Sequence, residues 1–235
     1  MKRLLRWLVP LVLGCAVVAS ASLLVHAAPV TWSYTAPLWK ASPSPTPQEN
    51  IASQVVAVYQ GDPNAGWDSP AQYQTWWRSA CSVFAMYAVL RAFGVETRPG
   101  LVLDDEIMQH AITPQNGLIS LPGYADLVPR FYGGLDSTYY EHMTISHIRQ
   151  IVAAGLPVLA NIWDPEARYY HFEPGHWLVV VAYRAHAPLA THGPGYELRD
   201  SSGYHLTWVS AEAFEFMFNN THRAVVVHRK GSVVP

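Results

Sequence analysis

The strongest constraint on the fold of this 235-residue chain is a helix that is apolar on almost every side. Residues 79–93 carry a helical pattern in which Arg91 is the only charge beyond the first turn. Gly94 follows at the position that favours a left-handed residue, and Ser79 is the expected N-cap. A helix without a polar face must be buried over its whole circumference. The chain is therefore expected to build its core around this segment.

Further helices are predicted on the C-terminal side of this one. Their patterns cover residues 104–111, 124–132 and 144–154. Thr144 and Gly155 supply the N-cap and the end of the last of them. A short helix starting at Ala211, with Ser210 as its N-cap, is expected near the end of the chain.

The second half of the chain is dominated by strand patterns. Segments rich in β-branched and aromatic residues, separated by turn residues, cover 157–162, 176–183, 196–200, 205–209 and 223–229. Helices first and an antiparallel sheet afterwards predict an α+β fold.

The N-terminal segments are predicted to precede the folded domain. Residues 1–27 have a basic start, a long apolar run and small residues at the end, which is typical of an export signal peptide. The apolar run reaches the lower length limit of a membrane span, so a retained signal anchor stays open. A weak lipoprotein-like match at Cys15 is a further alternative. Residues 28–50 form a Pro/Ser-rich tether, and the domain covers 51–235. Each version places that domain outside the cytoplasm, secreted or on the cell surface.

Composition limits the classes of partner. Half of the residues are hydrophobic, which is enough to form a core. The formal net charge is −2 and no long basic run is present, so nothing indicates nucleic-acid binding. Contact with a membrane is expected only through the N-terminal segment. The aromatic residues are expected to fill the core and line a groove.

Cysteine use points to one thiol of interest. The chain has Cys15 and Cys81, and the first is expected to leave with the leader. The remaining cysteine then has no internal disulfide partner, so it is either a reactive thiol or a small buried apolar residue. Cys81 falls in the first turn of the apolar helix, where backbone N–H groups and the helix dipole stabilise a thiolate. Arg78 adds positive charge nearby.

Two further residues complete a nucleophilic arrangement. His176 opens a strand whose following residues anchor it in the core, and an imidazole held in this way can act as a general base. Asp200 ends the next strand, before a Ser201-Ser202-Gly203 turn. If the two strands pair antiparallel, its carboxylate lies beside His176 and can orient the ring. Asp164 is the alternative orienting residue.

The segment Ser79-Ala-Cys-Ser-Val-Phe-Ala-Met resembles the nucleophile segment of papain-like cysteine peptidases. The order of elements between 59 and 209 is similar, more narrowly, to peptidases that process bacteriocin leaders (double-glycine peptidases) and to their secreted relatives. The chain departs from them at Ser82-Val83, where those relatives usually have Gly-Pro. The resemblance implies a papain-like fold in which a buried nucleophile helix packs on a C-terminal antiparallel sheet.

The resemblance also implies an upstream glutamine that helps to stabilise the oxyanion, together with the Cys81 backbone N–H. Gln74 fits the spacing better than its competitor Gln72. A metal site is not expected, because the five-residue spacing of His171 and His176 suits neither a helix face nor a zinc pair. No cofactor is implied.

The sequence thus predicts an extracytoplasmic thiol hydrolase that cleaves a peptide or other amide bond through Cys81, His176 and Asp200. Two alternatives remain at this stage. One is an acyltransferase that uses the same triad, and the other is a non-catalytic surface binding domain on the same fold.

Overall fold

The computed structural model describes residues 49–170, 175–186 and 193–235. The predicted signal peptide, Cys15 and almost all of the predicted tether lie outside these residues. A short 3₁₀ helix, Ile51–Gln54, begins the described part, and the Asn50 side chain caps it. Within the described ranges no helix is long and apolar enough to cross a membrane.

The first half of the domain is mainly helical. Its helices are α1 (Pro70–Trp76), α2 (Cys81–Ala92), α3 (Pro99–Met108) and α4 (Leu121–Phe131). A small antiparallel hairpin, β1 (Ile112–Thr113) and β2 (Gly117–Leu118), separates the last two. Strand β3 (Leu135–Tyr140) and helix α5 (Ile145–Ala153) follow.

The second half contains most of the sheet. Its elements are β4 (Val158–Ile162), β5 (His176–Arg184), β6 (Gly195–Arg199), β7 (Trp208–Ser210), α6 (Ala211–Asn219) and β8 (Ala224–Arg229). The six strands have the order β3-β8-β4-β5-β6-β7, and every neighbouring pair is antiparallel. The predicted α+β class is confirmed.

Helix α2 is the buried centre that the sequence predicts. Nine of its twelve residues are buried, and it packs against β5 and α3. Gly94 has a φ of +81°, and the amides of Gly94 and Val95 donate to the carbonyls of Arg91 and Leu90. These bonds form a Schellman motif, which ends the helix at the predicted place. The positive φ explains why glycine occupies this position.

Two other helix caps are confirmed. The Thr144 side chain accepts from the His147 amide at the start of α5, and Gly155 follows its end with a φ of +82°. The Ser210 side chain accepts from the Ala213 amide at the start of α6. These ends follow from short-range hydrogen bonds, so the local sequence is enough to predict them.

Several predicted boundaries are wrong for physical reasons. Helix α3 starts earlier than expected, because Pro99 is pre-organised for the first helical position. It ends before His110, whose φ is +52°. The strand expected at 205–209 starts only at Trp208, since His205 also has a positive φ and the Leu206 amide donates to Asp200 instead of to a neighbouring strand.

Candidate active site

Cys81 is the first residue of α2 and carries a free, half-buried thiol. The expected N-cap, Ser79, is wrong: the N-cap is Ala80, and the Ser79 hydroxyl donates to the carbonyl of Trp76. No side chain therefore caps the first turn of α2. Its backbone N–H groups remain directed toward the end of the helix where the sulfur lies.

The Cys81 sulfur accepts hydrogen bonds from the protein around it. Its partners are the ring of His176 and the backbone N–H groups of Trp177 and Ser82. Burial by itself would raise the pKa of the thiol, but the bond to His176, the charge of its ring and the two amides outweigh this effect. The pKa of Cys81 consequently lies below its ordinary value. A thiolate is the nucleophilic form of cysteine.

His176 is the first residue of β5, and its buried ring bridges the sulfur and a carboxylate. Its Nε2 lies 2.6 Å from Oδ1 of Asp200, which leaves Nδ1 to face Cys81. Burial would lower the pKa of the imidazole, but Asp200 and Cys81 together raise it to about 9. Both shifts favour the form of the pair in which a thiolate lies beside an imidazolium.

The pairing of β5 with β6 explains how Asp200 reaches the ring. The two strands are antiparallel, with Val179 opposite Arg199, so the end of β6 returns to the start of β5. Asp200 then lies diagonally across from His176, within reach of a cross-strand contact. The carboxylate also accepts from Ser202 and from the Leu206 amide. Burial opposes ionisation, but the His176 ring and these donors lower the pKa of Asp200 to about 2.

Asp164, the alternative orienting residue, has a different task. Its buried carboxylate accepts from the consecutive backbone amides of Arg168, Tyr169 and Tyr170. It thereby organises residues 164–170, which follow β4. The bond from the His176 ring goes to Asp200.

The Cys81 and His176 side chains face an open cleft with a volume of about 620 Å³. The β1–β2 hairpin forms one wall, and the start of β5 with the turn after β6 forms another. At Gly117, in the hairpin, a Cβ atom would lie 3.2 Å from the Ser79 carbonyl oxygen and the φ is +63°. Glycine is thus needed there for the hairpin to approach the segment before α2.

The structure does not bring Gln74 to this cleft. Gln74 lies exposed on α1, while Gln72 accepts from the Asp68 amide and donates to Asp104. The glutamine that lines the cleft with Cys81 is instead Gln60, which is 7% exposed. Sequence reasoning missed it because it precedes α1 and has no periodic relation to Cys81. The one available signal was the apolar run just before it, which predicts burial.

Gln60 is held firmly. Its Nε2 donates to the Trp77 carbonyl at 2.8 Å, and its Oε1 accepts from the Ser201 hydroxyl at 3.0 Å. An amide nitrogen carries two hydrogens, so one of them remains for a group in the cleft. Among the described residues, no group of three His, Cys, Asp or Glu side chains is placed to hold a metal ion.

Comparison with solved structures identifies the architecture. The peptidase domain of Streptococcus ComA, a bifunctional ABC transporter of a quorum-sensing pathway, matches at 12% identity over 75% of this chain and 99% of its own, with a TM-score of 0.50. A protein from Bacillus anthracis described as a C39-like peptidase matches at 13% identity. The match covers 77% of this chain and 97% of that protein, also with a TM-score of 0.50. A double-glycine-motif protease solved with a leader peptide matches at 12% identity. This match covers 64% of this chain and 84% of that protein, with a TM-score of 0.44.

No protein-family model and no curated relative matches the chain. Helix α2 packs on an antiparallel sheet, with Cys81 and His176 where the two meet, and the domain has a papain-like fold. More narrowly, the fold is that of the C39 (double-glycine) peptidase domains, which confirms the resemblance predicted from the sequence.

Proposed function

We propose that this domain is an extracytoplasmic thiol hydrolase that cleaves a peptide or other amide bond. The observation that carries the proposal is the hydrogen-bonded series from the Cys81 sulfur through the His176 ring to Asp200, at the wall of an open cleft. The fold shared with cysteine peptidase domains supports it. The extracytoplasmic location rests on the signal-like sequence of residues 1–27.

In the acylation step, the Cys81 thiolate attacks the substrate carbonyl carbon and forms a C–S bond. As negative charge develops on the carbonyl oxygen, this oxygen accepts hydrogen bonds from the Cys81 backbone N–H and from the second N–H of the Gln60 side chain. The tetrahedral intermediate collapses, the C–N bond breaks, and the His176 imidazolium gives its proton to the leaving amine. The product is a thioester on Cys81.

In the deacylation step, His176 acts as the base. It removes a proton from water as the water oxygen attacks the thioester carbon. The C–S bond then breaks, which releases the carboxylic acid and restores the thiolate beside the imidazolium. Asp200 holds the ring orientation in both steps and stabilises the charged form.

The cleft indicates what kind of substrate fits. Its lining is largely polar, and Arg78 stands exposed in it with no ion-pair partner among the described residues. The Arg78 guanidinium lies 5.1 Å from the Trp77 ring centroid, a cation–π contact that limits its freedom. Arg223 also lines the cleft, and its guanidinium is 3.6 Å from the Glu141 carboxylate, a distance too long for a strong charge-assisted hydrogen bond. The surplus positive charge favours a substrate with an acidic group near the scissile bond.

Two other functions are compatible with the fold. An acyltransferase would use the same first step and pass the acyl group to an amine. A binding domain would use the cleft alone, and it would have no need of a thiol hydrogen-bonded to a histidine whose ring is oriented by a buried carboxylate. That arrangement favours an enzyme over a binding domain.

The test is to incubate the domain with a diverse peptide library and to identify new termini by mass spectrometry. We expect wild type to generate them and Cys81→Ala to generate none. His176→Ala should generate almost no new termini. Its matched control is His186→Ala, which should behave as wild type because His186 is exposed and lies beyond the opposite end of β5. Repeating the reaction in ¹⁸O water with added glycinamide separates hydrolysis from transfer. Equal product patterns from wild type and Cys81→Ala would refute the proposal.

A further inference from the structure

A buried polar cluster lies directly behind the nucleophile. It consists of Ser82 on α2, Glu106 on α3 and Tyr124 on α4, and each of these residues is 0% exposed. The Ser82 hydroxyl is 2.9 Å from Glu106 Oε2, and the Tyr124 hydroxyl donates to the Ser82 carbonyl at 2.8 Å. Within the described residues, the other carboxyl oxygen of Glu106 has no hydrogen-bond partner.

Packing alone does not explain Glu106. Burial of a carboxyl group with an unpartnered oxygen is unfavourable, and an apolar side chain of similar volume would fill the same space. Burial raises the pKa of Glu106 well above its ordinary value, which favours the neutral carboxyl group. A neutral carboxyl is compatible with a Cys81 thiolate on the neighbouring helix α2, whereas a carboxylate would repel it.

The cluster is connected to both backbone amides that contact the sulfur. Ser82 supplies one of them, and its hydroxyl and carbonyl are the groups that Glu106 and Tyr124 hold. Trp177 supplies the other, and its ring centroid lies 5.2 Å from that of Tyr124. Movement of the cluster would therefore displace the donors on either side of Cys81.

We propose that Glu106, acting through Ser82 and Tyr124, is a positioning residue for the Cys81 thiolate. It ties the first turn of α2 to α3 and α4, so that the Ser82 and Trp177 amides point at the sulfur. The inference rests on the proposed function in treating Cys81 as the nucleophile. Ser82-Val83 stands where the peptidases that the sequence resembles usually have Gly-Pro, so the cluster gives a role to one of the two residues at which this chain departs from them.

The test is the pH dependence of Cys81 alkylation by iodoacetamide, followed on the Cys81 peptide by mass spectrometry so that Cys15 does not contribute. This readout requires no substrate and no turnover. We expect Ser82→Ala and Glu106→Met to raise the midpoint by about one pH unit each, since each loosens the donors to the thiolate. The conservative change Glu106→Gln keeps an acceptor for Ser82 and should restore most of the wild-type midpoint.

A double variant separates positioning from stability. Single changes leave one buried polar group without its partner, whereas Ser82→Ala/Glu106→Met removes both and should recover much of the lost stability in urea unfolding. The midpoint of alkylation should nevertheless stay raised. Asp104→Asn is the control on the same helix, because Asp104 is exposed and accepts a hydrogen bond from Gln72, outside the cluster. Its midpoint should match wild type.

The outcomes are distinguishable from a failure of the proposed function. A wild-type midpoint near the ordinary cysteine value of about 8.5 would overturn the assignment of Cys81 as nucleophile and the inference with it. If the alkylation midpoint of wild type is lowered and all Ser82 and Glu106 variants have the same midpoint, the inference about Glu106 is wrong, while Cys81 remains the nucleophile. If the double variant recovers both the stability and the wild-type alkylation midpoint, the cluster contributes only to packing and the inference is again wrong.

Discussion

The Nε2 atom of His176 lies 2.6 Å from Oδ1 of Asp200, and neither side chain is more than 8% exposed. The pair forms because β6 runs antiparallel to β5 and ends beside its first residue. The ring is thereby held with one nitrogen on the carboxylate and the other toward the Cys81 sulfur. This geometry ranks the effects expected from substitutions in the three residues.

His176→Ala should lower kcat by at least about 10²-fold, because proton transfer in both steps is lost. Asp200→Asn should retain more activity than His176→Ala, since its amide oxygen can still accept a hydrogen bond from the ring. It should be less active than wild type, because its NH2 group then faces the Leu206 N–H, and two donors cannot bond to each other. The activity of Asp200→Ala should lie between those of Asp200→Asn and His176→Ala, because the ring is then free to rotate. Steady-state kinetics on one peptide, with folding checked by circular dichroism, gives the order. If Asp164→Ala abolished turnover while both Asp200 variants kept it, Asp164 would be the orienting residue.

Gln60 and Gln74 form a matched pair for testing the oxyanion site. Gln60→Ala should reduce kcat by about 10²- to 10³-fold with little change in KM, because the donor acts on charge that develops in the transition state. Gln74→Ala should behave as wild type, since Gln74 is exposed on α1. If kcat falls with Gln74→Ala and not with Gln60→Ala, Gln74 would be the oxyanion donor, as the sequence predicts.

The dependence of kcat/KM on pH follows from the shifted pKa values. The pKa of Cys81 is lowered and that of His176 is raised to about 9, so the ion pair is populated between them. Activity should be highest in the pH interval between the two pKa values. It should fall above about 9, where the imidazolium loses the proton it gives to the leaving amine, and in acid, where the thiolate is protonated. A rise that continues to about pH 8.5 would indicate an ordinary thiol.

Reversing the charge at Arg78 should change substrate preference. Arg78→Glu is expected to lower kcat/KM several-fold for peptides with an acidic residue near the cleaved bond and to raise it for basic ones. Arg91→Glu is the control, because Arg91 is exposed at the far end of α2 and does not line the cleft. Preference should be measured at low and high salt, since screening weakens the effect. Equal changes in both variants would assign the effect to net charge.

Sequence reasoning was reliable wherever a structural feature depends on neighbours along the chain. The apolar circumference of α2 demanded burial, and Gly94, Thr144 and Ser210 marked element ends through short-range hydrogen bonds. It was weaker for α1 and β3, which were not predicted. It also misplaced the start of β7, because the Asp200 side chain takes up the Leu206 amide that a strand would otherwise use.

The sequence by itself determined that an apolar helix opens with a cysteine and that a sheet follows with His176 at the start of a strand. Periodicity and capping are local, so these features can be recognised without knowing what packs against them. Only the tertiary structure decided which glutamine lines the cleft and which aspartate holds the ring. It alone placed Glu106 behind Cys81. These choices depend on residues far apart in the chain meeting when the helices pack on the sheet, and no short-range pattern records such a meeting.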